Sequence, residues 1–146
     1  MEELKKDSEV LAEIYRNAQL AITSISDILP EIDDVHIKEE ILREHEEYER
    51  ICSEAASLAH KLDVELKEPN PVKKAMMWSA IKMGTASDNS PQNIAQMMIR
   101  GTVTGLTSLK TSLTDSKNIL DDEIKSLLCE LIKLEEGFER TLKTYL

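Results

Sequence analysis

Aromatic residues make up only 3% of this 146-residue chain: one Trp, one Phe and three Tyr. Glycine and proline occur four times each. Sheets draw on aromatic and β-branched residues and turns on Gly and Pro, so this scarcity excludes a strand-rich fold. The two cysteines, Cys52 and Cys129, are too few and too far apart for a Cys-rich zinc site. Both fall on apolar helix faces, where reduced cysteines are usually buried. No stretch approaches the roughly 18 apolar residues of a spanning helix. The first six residues, Met1 to Lys6, lack the apolar core of a signal peptide, so a cytoplasmic protein is expected. Positive charge is also short, with 18 Lys and Arg against 28 Asp and Glu and a net charge of −10. Such a surface repels phosphate and anionic lipid, so neither nucleic acid nor a membrane surface is an expected partner. A Gly-rich phosphate loop, His-Glu-x-x-His and Gly-x-Ser-x-Gly are all missing, and no serine or cysteine has a histidine placed by a signature. No catalytic residue is expected.

What remains is Leu, Ile, Ala, Glu and Lys, the composition of long helices. Leu4, Leu11, Ala18 and Ile25 recur every seven residues, with Ile14, Ala21 and Ile28 on the second seam. They predict a helix over 4–29, ended by Pro30. Asp33 or Asp34 caps a second helix over 35–64, with Ile41, Tyr48, Ala55 and Leu62 in its stripe. Asn70-Pro71 opens a short helix over 71–85, and Ser90-Pro91 opens one over 91–114. Between Pro91 and Thr114 only Arg100 and Lys110 are charged, which predicts that this helix is the most buried. The last helix, over 121–145, carries Ile124, Leu127, Leu128, Leu131, Leu134, Phe138, Leu142 and Tyr145. The expected fold is all-α, one domain over 1–146: four long helices, with the short one in the connection between the second and third of them. A connection of roughly 25 residues is about what is needed to run back along a bundle, leaving the second and third long helices parallel. An up-and-down bundle with a docked extra helix is the alternative.

Two seam positions break the apolar pattern. Glu44 shares a seven-residue column with Ile37, Ile51 and Leu58, and Glu135 shares one with Leu128 and Leu142. His45 lies beside Glu44. If the long connection holds, Glu44, Glu135, Gly101 and Ala18 all fall about nine to eleven residues below the same end of the bundle, within a turn of each other. The small residues Ala18, Gly101 and Gly105 would leave room there, with Met97 and Met98 a turn above. An ionised carboxylate in a dry core is costly unless paired, so the layer reads as a ligand or metal pocket. Boundary positions that reach water are the plainer alternative for both glutamates, and for His45 a hydrogen bond at the boundary. Gly101-x-x-x-Gly105 also suits close helix packing, within the chain or between subunits. The methionines read as core filler rather than soft-metal ligands.

With these helices and interior carboxylates, the chain resembles the ferritin-like superfamily. The stretch Asp88-Asn89-Ser90-Pro91-Gln92-Asn93-Ile94-Ala95-Gln96-Met97-Met98-Ile99-Arg100-Gly101 and the segment Ile14-Tyr15-Arg16-Asn17-Ala18-Gln19 are similar to a group of short bacterial proteins with no assigned activity. Di-iron members of the superfamily use a Glu from each of two helices and Glu-x-x-His from the other two. Here Asp33, Leu42 and Ser57 stand three residues before His36, His45 and His60. The helix from Pro91 to Thr114 has no acid, and the last helix has no histidine. What the resemblance then implies is at most a reduced site, Glu44, His45 and Glu135 with Glu13 or Gln19, for a single zinc, iron or manganese ion. The leading expectation is a non-enzymatic bundle that acts through helix packing or self-association. A homodimer is expected through the apolar surface of Met76, Met77 and Trp78 on the short helix.

Overall fold

The computed structural model describes residues 6–116 and 120–146. Among them the chain is all-α: α1 Asp7–Ile28, a 3-10 turn Leu29–Glu31, α2 Val35–Leu62, α3 Pro71–Ala86, α4 Pro91–Ser116 and α5 Asp122–Lys143. Helix α1 begins at Asp7, three residues after its expected start, and every other described helix end falls within two residues of its expected place. The proposed start at Leu4, and the centre of the turn expected over 115–120, lie outside the described residues.

Side-chain chemistry sets these ends. Asp34 caps α2 by accepting from the Ile37 N–H at 2.9 Å, and Asn70 caps α3 by accepting from Val72 at 2.8 Å. Ser90 Oγ accepts from the Asn93 N–H at 3.2 Å at the head of α4. Asp121 Oδ1 takes both Glu123 and Ile124 N–H groups at the head of α5. Pro30 sits inside the 3-10 turn, where its missing N–H costs nothing to an α-helical ladder. At the end of α2, Asp63 adopts a left-handed conformation (φ 55°), and the next residue, Val64, donates back to Ala59 at 2.8 Å.

Specific contacts fix the helix directions. Asn17 of α1 reaches Gly105 of α4, while Glu13, one turn earlier, takes the hydroxyls of Ser108 and Ser112, so α1 and α4 are antiparallel. Helix α1 packs along α2, α2 along α5, and α5 along α4. Helix α3 rises beside α1: Tyr15 donates to Glu68 just before it, and Lys82 pairs with Glu31 at 2.7 Å near its end. The connection from α2 to α4 therefore runs the length of the molecule, and α2 and α4 point the same way.

The buried apolar residues form one cluster, with Tyr48 and Phe138 its largest side chains. Leu11, Ile14, Ala18, Ile25 and Ile28 of α1 are fully buried, as their spacing requires. Helix α4 corrects one expectation. It buries Ile94, Ala95, Met98, Thr102, Leu106, Leu109, Ser112 and Ser116, but its other face is open to solvent. That face carries little charge, Arg100 and Lys110 apart, because threonines occupy much of it. Thr104, Thr107, Thr111 and Thr114 each donate to the carbonyl four residues back. Helix α3 buries only Ile81 and Thr85.

Candidate functional site: a buried carboxyl at the floor of a cleft

Glu135 belongs to the seam of α5 and is 2% exposed. Its Oε2 has no hydrogen-bond partner, and the same holds for a buried oxygen of Glu44 on α2. Burial, reinforced by the charge of Glu44, pushes the Glu135 carboxyl up to about 8. Burial also raises Glu44, to about 7, with Glu47 and Glu40 adding to the effect. Tyr48, fully in the core, faces both acids, and its hydroxyl is pushed well up by burial and then by Glu135 and Glu44. These shifts share one origin: an apolar interior solvates the neutral form of an acid better than the charged form.

Gly105 makes room for this layer. A Cβ built there would stand 2.8 Å from Asn17 Nδ2 and 3.2 Å from Glu135 Oε2. Asn17 uses that room to donate to the Gly105 carbonyl at 3.2 Å. Gly101, one turn earlier, has open space where its side chain would be. That space belongs to a cleft of about 790 Å³ between α1, α3 and α4, with Glu135, Tyr48 and Phe138 in its lining. Met97, Met98, Gly101 and Gly105 line it, as does Met77. Ala18 is wholly buried in the core instead. Met76 and Trp78 face outward from α3, with Lys82 5.8 Å from the centre of the indole ring.

His45 does not join the acids. Its Nδ1 lies 2.6 Å from Glu49, one turn along the same helix. Among the described residues no group of three or more His, Cys, Asp or Glu side chains is placed to hold a metal ion. Glu13, the possible extra donor, is occupied by the hydroxyls of Ser108 and Ser112. Gln19 donates to the Tyr15 hydroxyl at 3.0 Å. Two functional positions escaped the sequence reading. Asn17 sits between apolar seam residues one turn from Glu13, and a polar side chain there was a usable signal. Asn93 holds the α3–α4 junction by donating to the Gly84 carbonyl at 2.9 Å, a contact that only the folded turn creates.

The raised acids make stability depend on pH in a definite direction. Between their ordinary value of 4.5 and about 7 to 8, the folded chain holds protons that the unfolded chain releases. Their contribution is fully present below 4.5 and is lost as pH rises through 7 and 8. Glu135→Gln keeps the shape and removes the titration. At about 1.4 kcal/mol per pKa unit, the variant should exceed the parent by a few kcal/mol above about pH 8 and match it below 4.5. With Glu44→Gln added, the effects should not sum. Urea melts across pH that run parallel for parent and variant would remove the buried-acid layer.

The two glycines give a second check. Gly105→Ala forces Asn17 or Glu135 aside and should cost about 1–3 kcal/mol. Gly101→Ala enters empty space in a helix and should stabilise by about 0.5–1 kcal/mol. Equal effects of the two substitutions in thermal melts would contradict this packing. Comparison of the chain with known proteins found no matching family model, no matching curated protein and no matching solved structure.

Proposed function

We propose that this protein is a ferritin-like helical bundle that binds a small organic ligand in the cleft and catalyses no reaction on it. Support for the fold assignment comes from the parallel α2 and α4 and from the long connection carrying α3. The observation that carries the function is the Glu135 Oε2, deeply buried, without a partner and facing a cleft large enough for a ligand. Buried polar atoms are nearly always hydrogen-bonded, and ligand sites are mainly apolar clefts of about 300–1,000 Å³ with a few polar groups inside. A ligand that bonds to Glu135 would complete its coordination. The residues lining the cleft include no histidine or cysteine, the commonest general base and the strongest nucleophile, which favours binding over chemistry. A metal-holding version, with zinc, iron or manganese, would rest on Glu44 and Glu135 alone, since Glu49 engages His45. A di-iron oxidoreductase has the least support.

Titration with the neutral, environment-sensitive dye Nile red tests the cleft. Saturable binding of one dye per chain is expected, weakened at least about tenfold in Gly101→Leu, whose side chain grows into the open space. Dye binding that Gly101→Leu leaves unchanged would defeat the reading.

A second reading has its own observation. Val72, Met76 and Met83 share one face of α3 and are 65%, 68% and 77% exposed, while Trp78, on another face, is half-exposed. Such a patch fits a second copy of the chain, α3 against α3 about a two-fold axis. Light scattering behind a sizing column should report a dimer that Met76→Glu with Met83→Glu dissociates. A strict monomer at high concentration would overturn it.

A further inference from the structure

The distribution of charge around the cleft names the kind of ligand, given the proposed binding role. The chain carries a net charge of −10, yet the cleft is lined by three cations, Arg16, Lys73 and Arg100. Several other cations of the described residues lie against acids: Arg50 with Glu47, Glu54 and Glu130, Lys61 with Glu123, Lys82 with Glu31, Lys110 with Glu136, while Lys38, Lys67, Lys74, Lys133 and Arg140 stand outside the cleft. Arg16, Lys73 and Arg100 make no ion pair among the described residues. Glu13 is the one other acid of the lining besides Glu135, and its oxygens take hydroxyl donors from Ser108 and Ser112. Three cations thus line the cleft against two acids, one of them the buried Glu135, on an otherwise negative protein.

The cleft is also polarised along its length. Arg16 adjoins Asn17, and Asn17, Gly105 and Glu135 meet at one level. Ile25 and Ile28 lie two to three turns further along α1, where Ile81 and Met97 close the cleft from α3 and α4. From Asn17 to Ile28 the helix rises about 16 Å, the length of a dodecyl chain. The end at Asn17 offers Arg16 and a carboxyl, Arg100 stands between Gly105 and Met97, and the far end offers Ile25, Ile28, Ile81 and Met97 beside the short polar side chains of Ser24 and Asn93.

We propose that the cleft binds a single-tailed anionic amphiphile, a long-chain monocarboxylate. Its head lies among Arg16, Lys73 and Arg100, against Glu135, and its tail runs towards Ile28, Ile81 and Met97. The floor acid serves this head in its neutral form, donating its O–H to the ligand carboxylate, an O–H···O⁻ bond of the stronger, charge-assisted kind. Once ionised, it repels the same head. Burial and Glu44 on α2 set its proton; the other titratable or charged groups lining the cleft are Tyr48 on α2, Glu13 and Arg16 on α1, Lys73 on α3 and Arg100 on α4. Affinity for the carboxylate therefore falls as pH rises through about 8.

Calorimetric titration of the full chain with dodecanoate, dodecanol and dodecylammonium, each below its micelle concentration, tests this. The three probes share one tail and differ in head charge. Dodecanoate should bind at least about tenfold more tightly than dodecanol, and dodecylammonium most weakly. Arg16→Gln with Arg100→Gln should erase the preference and leave dodecanol binding unchanged. Glu135→Gln should make dodecanoate binding independent of pH between about 6 and 9. Equal binding of dodecanoate and dodecanol, both blocked by Gly101→Leu, would overturn the ligand class while leaving the cleft as a binding site. So would tighter binding of dodecylammonium. Failure of all three probes to bind would overturn both readings together.

Discussion

A carboxyl group held almost out of reach of water, with one oxygen unpaired, is the constraint around which this core is organised. An ionised carboxylate in such a place costs several kcal/mol, and an unmet hydrogen bond on a neutral one costs about 1–3. The helices lower the first cost by keeping Glu135 protonated, through burial and the nearby Glu44. They leave the second in place. Asn17, the nearest amide donor, turns to the Gly105 carbonyl instead. Gly105 has no side chain where Asn17 and Glu135 need the volume, so acid, amide and small residue are one device drawn from three helices. Above and below it the core is ordinary aliphatic packing, from Leu11 and Ile14 at one end to Ile25, Ile28 and Ile94 at the other.

Most of that device could be read before the structure. The seven-residue recurrence set the helices, and the capping residues Asp34, Asn70, Ser90 and Asp121 marked where they begin. Glu135 stood out because Leu128 and Leu142 share its column, and counting residues from the helix ends put Glu44, Ala18 and Gly101 at its height. The count was good to about one turn: Gly105 and Asn17 meet Glu135, and Gly101 and Ala18 are their neighbours. His45 was drawn in by adjacency to Glu44, yet successive residues on a helix diverge by about 100°. Glu49, one turn further along α2, stands at the right spacing to hold it.

The wall that α3 adds to this pocket was not legible, because it depends on where α3 stands rather than on what α3 is made of. A helix that buries only Ile81 and Thr85 has almost no stripe to reveal which way it faces. Its position comes from contacts between residues distant in sequence. Lys82 meets Glu31, Asn93 reaches the Gly84 carbonyl, and the absence of a side chain at Gly84 admits Met97, which would lie 2.7 Å from a Cβ there. The lack of charge on α4 misled in the same way. It was read as burial, whereas threonines that bond back to their own helix give an exposed face with little charge.

The manner in which α3 is held has a consequence for entry to the cleft. It is tied at one end by Lys82 and Asn93, and the segment before its other end is tied by the Tyr15–Glu68 hydrogen bond. Between these ties it packs along α1 but buries only Ile81 and Thr85, so moving its middle away from α1 and α4 uncovers little apolar surface. Moving α1, α2 or α5 would uncover a full row of buried residues and the acid layer with them. Local opening follows the element with the least buried surface. The wall of the cleft formed by α3 is thus its least buried side, and the floor formed by Glu135 its most buried.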